Sequence, residues 1–179
     1  MKSSDRTIEA AAPQLRPLRS LPRKEPESAR RPSAPSIVVL LVEDSLGDAR
    51  LTQEAFSESA RPIRLHVVRD GVEAIAFLHR QPPFTDAPRP DLILLDLDLP
   101  KLSGGEVLAL VKSEDCLNLI PTIVLSTSDA QTDILNCYRL QASCYLTKPL
   151  RLSAFESVVN SLGEFWLTHA SLPPRPAHQ

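Results

Sequence analysis

The sequence is short of aromatic and sulphur-bearing side chains and has no long apolar run. Its 179 residues include one Trp, two Tyr, five Phe and one Met, so aliphatic side chains must build most of the core. No stretch approaches the roughly eighteen consecutive apolar residues of a membrane span, and Ala10 to Ala12 is too short for a signal peptide. Cys116, Cys137 and Cys144 form no CxxC pair and no even framework, which argues against disulfides and a structural zinc site. Reduced thiols and a cytoplasmic location are the expectation. His66, His79, His169 and His178 fall on different predicted elements, which speaks against a histidine metal site or a phosphotransfer histidine. A large charge excess is missing too: the net charge is -2, yet residues 1–35 carry eight basic and four acidic groups, and residues 36–179 twelve and eighteen. An acidic domain behind a basic leader is a poor nucleic-acid binder, and no membrane contact is expected.

Residues 1–35 hold six of the seventeen prolines and almost no periodic hydrophobicity, too little apolar surface to offset ordering. They are predicted to be a disordered Pro/Arg-rich tail, followed by a folded domain over 36–170 and a short disordered tail over 171–179. Within the domain, Ile37 to Val42, Asp91 to Asp96 and Thr122 to Ser126 are continuous apolar runs of strand length, the mark of strands buried on both faces. Shorter extended pieces lie at Leu65 to Val68 and Ser143 to Leu146. Helical spacing connects them at Asp48 to Ser57, Val72 to Arg80, Gly104 to Ser113, Ala130 to Leu140 and Leu152 to Thr168. Five β-then-α repeats predict an α/β fold with a doubly wound, five-stranded parallel sheet. The four-proline loop Gln81 to Pro90 belongs at the end of the sheet opposite the strand C-termini.

Ligands of open α/β sheets sit outside the carboxyl ends of the strands. Glu43-Asp44, Asp96-Leu97-Asp98, Ser126-Thr127-Ser128 and Lys148-Pro149 all fall there. Carboxylates gathered at two strand ends would repel one another unless a cation joined them, and oxygen-only donors point to Mg²⁺. Such parts suit acceptance of a phosphoryl group on a carboxylate. The middle strand offers Asp96 as nucleophile, Mg²⁺ on Asp44 and Asp96 would neutralise the transferring group, and Lys148 and Ser126 would take its remaining oxygens. Lys148 is expected to pair with the phosphoryl group and not with the resting core.

The stretch from about Ile37 to Leu167 resembles the receiver domain of two-component response regulators. The resemblance rests on the strand before Glu43-Asp44, on Asp96 followed by Pro100 and Gly104, on Ser126, and on Tyr145-Leu146-Thr147-Lys148-Pro149. It implies strand order 2-1-3-4-5 and phosphorylation of Asp96 by a sensor histidine kinase. It also implies Mg²⁺ bound by Glu43, Asp44, Asp96 and the main-chain carbonyl of Asp98, a Lys148 contact to the phosphoryl group, a Ser126/Tyr145 switch, and a cis peptide before Pro149. The run LVEDSLGDARLTQEAF, the Pro-rich insert and LDLDLPKLSGGEVL look like the small regulators that serve bacterial phytochromes. The sequence departs from the family at Gln141, where Gly is frequent, at Ser103, commonly Asp, and at Asp98, where Asn or Met is more routine.

Two other classes compete. A haloacid-dehalogenase-type phosphatase would use the Asp96/Asp98 pair with Ser126 and Lys148, but it needs a further acidic pair, and only Glu156 and Glu164, both on the last predicted helix, follow Lys148. A binding domain with a dead site is opposed by the completeness of the polar set. The receiver reading makes the chain no enzyme beyond its own phosphorylation and dephosphorylation, and output runs through protein-protein contact. Phe165, Trp166 and Leu167 spread too widely for one core-facing stripe, so at least one should face outward, which predicts a phosphorylation-sensitive homodimer.

Overall fold

A computed structural model describes residues 36–57 and 62–174. The expected tail over 1–35 lies outside the described residues, as does 175–179 of the C-terminal tail. Five strands, β1 (Ile37–Val42), β2 (Ile63–Val68), β3 (Leu92–Asp96), β4 (Thr122–Ser126) and β5 (Cys144–Thr147), form one parallel sheet in the order β2-β1-β3-β4-β5. Helices α1 (Leu46–Ser57), α2 (Gly71–Leu78), α3 (Gly104–Ser113), α4 (Gln131–Arg139) and α5 (Leu152–Glu164) connect and flank them.

Every residue of β1, β3 and β4 is buried, as their unbroken apolar runs require of central strands. Successive side chains point to opposite faces, so two cores result. Leu40, Val42, Ile93, Leu95 and Val124 pack with Phe77 of α2 and with Val107, Leu108 and Val111 of α3. On the other face Val39, Leu41, Leu92, Leu94, Ile123 and Leu125 pack with Phe56 of α1 and with Phe155, Val159 and Leu162 of α5. The functional carboxylates sit where β1 and β3 leave these cores.

Local chemistry sets the helix starts. Asp70 caps α2 by accepting from Glu73 N at 2.8 Å, and Ser103 forms a reciprocal capping box with Glu106 on α3. Ser103 therefore does for α3 what a capping Asp would do. Gln141 holds φ 64° after α4, with Gln141 N donating to Tyr138 O and Ala142 N to Cys137 O. The glycine-type turn is kept, not rebuilt, at the steric cost of an L residue in the left-handed region, about 1–2 kcal/mol.

Two expectations are corrected. The Lys148–Pro149 bond is not cis; the cis peptide among the described residues is Pro82–Pro83. Trans is the lower-energy isomer of an X–Pro bond. The last α-helix ends at Glu164, not Thr168, because Phe165–His169 continues as a π turn closed by Ala170 N donating to Phe165 O at 2.8 Å. The wider turn buries Leu167 and leaves Phe165 56% exposed. The proline-rich loop is also partly core: Phe84 packs on Phe77, ring centroids 5.5 Å apart.

Candidate functional site

β1 delivers Glu43 and Asp44 to the carboxyl edge of the sheet, and β3 delivers Asp96 beside them. Ligand-capable oxygens of Glu43, Asp44 and Asp96 lie within 4.8 Å of one another, with Glu43 and Asp96 buried and Asp44 exposed. Glu43 Oε1 accepts from Ser45 N at 3.2 Å, and Asp96 Oδ1 accepts from Asp98 N at 3.1 Å. The remaining oxygens of both acids face Lys148. Its Nζ donates to Glu43 Oε2 at 2.6 Å and to Asp96 Oδ2 at 2.7 Å, although 105 and 52 residues separate the partners.

Lys148 is thus buried and paired in the resting site, contrary to the expectation that it would wait for the phosphoryl group. Burial alone would lower the ammonium pKa; its hydrogen bonds to Asp96 and Glu43 outweigh that and hold it above the ordinary lysine value. Burial pushes the Glu43 carboxyl up to about 7, against the opposing pull of Lys148. Position is set by β5: Lys148 N donates to Ser126 O at 2.7 Å, tying the lysine to the end of β4.

Ser126 is fully buried, and its hydroxyl accepts from Ser128 N at 3.1 Å. Tyr145, half-buried on β5, donates its hydroxyl to Ser128 O at 2.8 Å. Both residues expected to act as a switch therefore hold the same residue of the loop between β4 and α4. Asp98 is exposed, its carboxylate 3.4 Å from Thr127 Oγ1 and outside the three-carboxylate cluster. Pro149 follows Lys148 at the mouth of the last loop. Glu156 and Glu164 are exposed on α5 and give a phosphatase no second acidic pair.

One participant escaped the sequence reading. Asp48 Oδ2, in the first turn of α1, accepts from Lys148 Nζ at 3.0 Å. The available signal was its place in the first turn of the helix that follows Asp44, a turn that begins beside the strand ends where ligands of such sheets sit. Oxygen donors alone, with a cationic side chain poised beside them, fit a hard divalent cation and an anionic group that approaches Asp96.

A model of the response regulator receiver domain matches residues 39–160. The chain belongs to that family. This receiver is 45% identical to response regulator Rcp1 of Synechocystis over 141 residues, spanning 79% of this chain and 96% of that one. The crystal structure of the Mn²⁺-bound form of Rcp1 superposes with a TM-score of 0.76, covering 77% of this chain and 99% of Rcp1. The phosphorylated cyanobacterial phytochrome response regulator RcpA is 47% identical, with a TM-score of 0.76 over 78% of this chain and all of RcpA (100%). The bacteriophytochrome response regulator RtBRR is 36% identical with a TM-score of 0.62, covering 79% of this chain and 86% of that one. The protein is a receiver-type response regulator related to those of phytochromes, and among its described residues no helix is long and apolar enough to cross a membrane.

Proposed function

We propose that this receiver, residues 36–170, accepts a phosphoryl group on Asp96 from a sensor histidine kinase in a phytochrome-linked relay. The observation that carries the reading is the position of Asp96, flanked by Glu43 and Asp44 on one side and by Lys148 Nζ at 2.7 Å on the other. One Asp96 carboxylate oxygen attacks phosphorus. The bond from phosphorus to the donor atom breaks, the donor leaves with that electron pair, and an aspartyl phosphate remains. Glu43, Asp44, Asp96 and the Asp98 carbonyl would hold Mg²⁺, which neutralises charge on the transferring group. Lys148 and the Ser126 hydroxyl take the other phosphoryl oxygens. The Ser126 hydroxyl can donate to a phosphoryl oxygen while its oxygen still accepts from Ser128 N, which ties the phosphoryl group to the loop that Tyr145 holds through Ser128 O.

The reaction modifies the chain itself, and the signal passes on through protein contacts. A second copy docks along β5 and α5, where Phe165 stands exposed. The acidic surface gives nucleic acid no electrostatic footing. We assign the protein to the cytoplasm, where Cys116, Cys137 and Cys144 stay free thiols.

The test is intact-protein mass spectrometry with acetyl phosphate and Mg²⁺. Wild type should gain one phosphoryl mass and Asp96→Asn none. No Mg²⁺-dependent adduct on wild type, or an undiminished one on Asp96→Asn, overturns the assignment. Phosphotransfer profiling against the kinases of the source organism tests the phytochrome link separately.

A further inference from the structure

A lysine ammonium has three protons and no acceptor. In this site all three are taken: by Glu43 Oε2 at 2.6 Å, Asp96 Oδ2 at 2.7 Å and Asp48 Oδ2 at 3.0 Å. A phosphoryl oxygen that binds Lys148 must therefore displace one carboxylate, because no fourth donor exists.

The three bonds are not equally easy to give up. The Glu43 side chain is almost wholly buried and its other oxygen is held by Ser45 N at 3.2 Å, so it keeps its place beside Lys148, and a carboxylate oxygen with two lone pairs can serve the cation and the lysine together. Asp96 carries the incoming group and stays beside the lysine. Asp48 makes the longest bond, and its side chain is 34% exposed, so water can take over from Lys148 at small cost. It reaches the ammonium from the first turn of α1, not from a strand end.

We infer that the Asp48 carboxylate occupies, on Lys148, the place of a phosphoryl oxygen, and competes from within the chain with the phosphoryl group for that lysine. The inference rests on the proposed role of Asp96 and adds a residue that sets how tightly the site holds a phosphoryl group. It makes and breaks no covalent bond; one hydrogen bond on Lys148 is exchanged for another.

Beryllofluoride, a phosphoryl mimic, is the probe, titrated by ¹⁹F NMR into wild type, Asp48→Ala, Asp48→Asn, Asp48→Glu and Glu54→Ala. Mg²⁺ affinity is measured first for each protein and Mg²⁺ then kept saturating, because losing a carboxylate also weakens cation binding. Glu54 is an exposed acid further along α1 and controls for the change in net charge. Asp48→Ala should bind the probe about two- to fivefold tighter, the range set by an exposed ion pair. Asp48→Asn should shift in the same direction, while Asp48→Glu and Glu54→Ala stay near wild type. With acetyl phosphate, the half-saturating donor concentration should fall in Asp48→Ala by a similar factor and the maximal rate change less.

Equal or weaker probe binding by both Asp48→Ala and Asp48→Asn would overturn the inference and make Asp48 an anchor for Lys148. An equal shift in Glu54→Ala would reduce the effect to net charge and overturn it as well. Failure of wild type to take either beryllofluoride or a phosphoryl group would instead refute the role of Asp96, and the inference with it.

Discussion

Gly104 lies directly against the backbone of Asp96: a Cβ at Gly104 would stand 2.0 Å from the Asp96 carbonyl oxygen and 2.7 Å from Leu97 Cα. Both obstacles are main chain, so a side chain at Gly104 can be admitted only by moving the segment that carries the phosphoacceptor. Gly104→Ala should cost about 1–3 kcal/mol of stability and slow acetyl-phosphate labelling. Gly105, with nothing within 4 Å of its would-be Cβ, is the internal control. Gly105→Ala should be neutral or stabilising by up to about 1 kcal/mol, as expected inside a helix. Equal melting temperatures for the two variants would contradict the close approach.

Removing Lys148 should do more than uncouple the switch. Lys148→Ala leaves Glu43 and Asp96 facing each other in a buried site without their shared cation. Breaking such a pair costs about 3–5 kcal/mol, and the low end applies here because Glu43, with its pKa already near 7, can take up a proton. Mg²⁺ should restore part of the loss, so the variant's melting temperature should rise more with added Mg²⁺ than that of wild type. A variant as stable as wild type without metal would show that the lysine does not hold the resting acids.

Most of the fold was legible because three strands are continuous apolar runs, and α3 spans the same residues, Gly104–Ser113, that its spacing predicted. Glu43, Asp44, Asp96 and Lys148 were legible for a related reason: strand ends place them, and strand ends are readable. What stayed hidden depends on long-range fit. The resting bonds of Lys148 join residues 52 to 105 positions apart, and no local pattern encodes them. The π turn at Phe165–His169 exists because it seats Leu167 in the core, a gain that helical periodicity alone does not contain. Phe84 read as loop because its neighbours are prolines, yet its ring found Phe77.

That π turn also shapes the proposed contact between copies. Phe165 and Trp166, in edge-to-face contact at 5.5 Å, flank a groove of about 320 Å³ along β5 and α5, lined by Cys144, Leu146, Val158 and Leu162. Among the described residues β5 is an edge of the sheet, so the groove borders a strand paired on one side alone. Trp166→Ala and Phe165→Ala should each weaken dimerisation, and phosphorylation should change the dimer affinity of wild type by about five- to a hundredfold. Sedimentation equilibrium with and without phosphorylation measures both. A monomer under every condition at micromolar concentration would remove the dimer.

His66 should give the fold a pH dependence on the acidic side. It lies on β2, opposite Leu40 of β1, with its ring 5.2 Å from Phe77 and its Nε2 buried without a hydrogen-bond partner among the described residues. Burial, and secondarily the charge of Arg64, hold the imidazole below its ordinary value, which is about 6.5. The folded protein therefore prefers neutral His66, and the unfolded chain takes up the proton first as pH falls. The stability tied to this preference is fully present above about pH 6.5, and it is lost as pH falls through the depressed folded value. The ring is only partly buried, so solvent screening keeps its share small. His66→Leu keeps an apolar side chain against Phe77 and removes the titration. Its melting temperature should decline less than that of wild type between about pH 7 and pH 5, the range in which an imidazole changes charge. Parallel declines in the two proteins would show that His66 contributes nothing to the acid sensitivity of the fold.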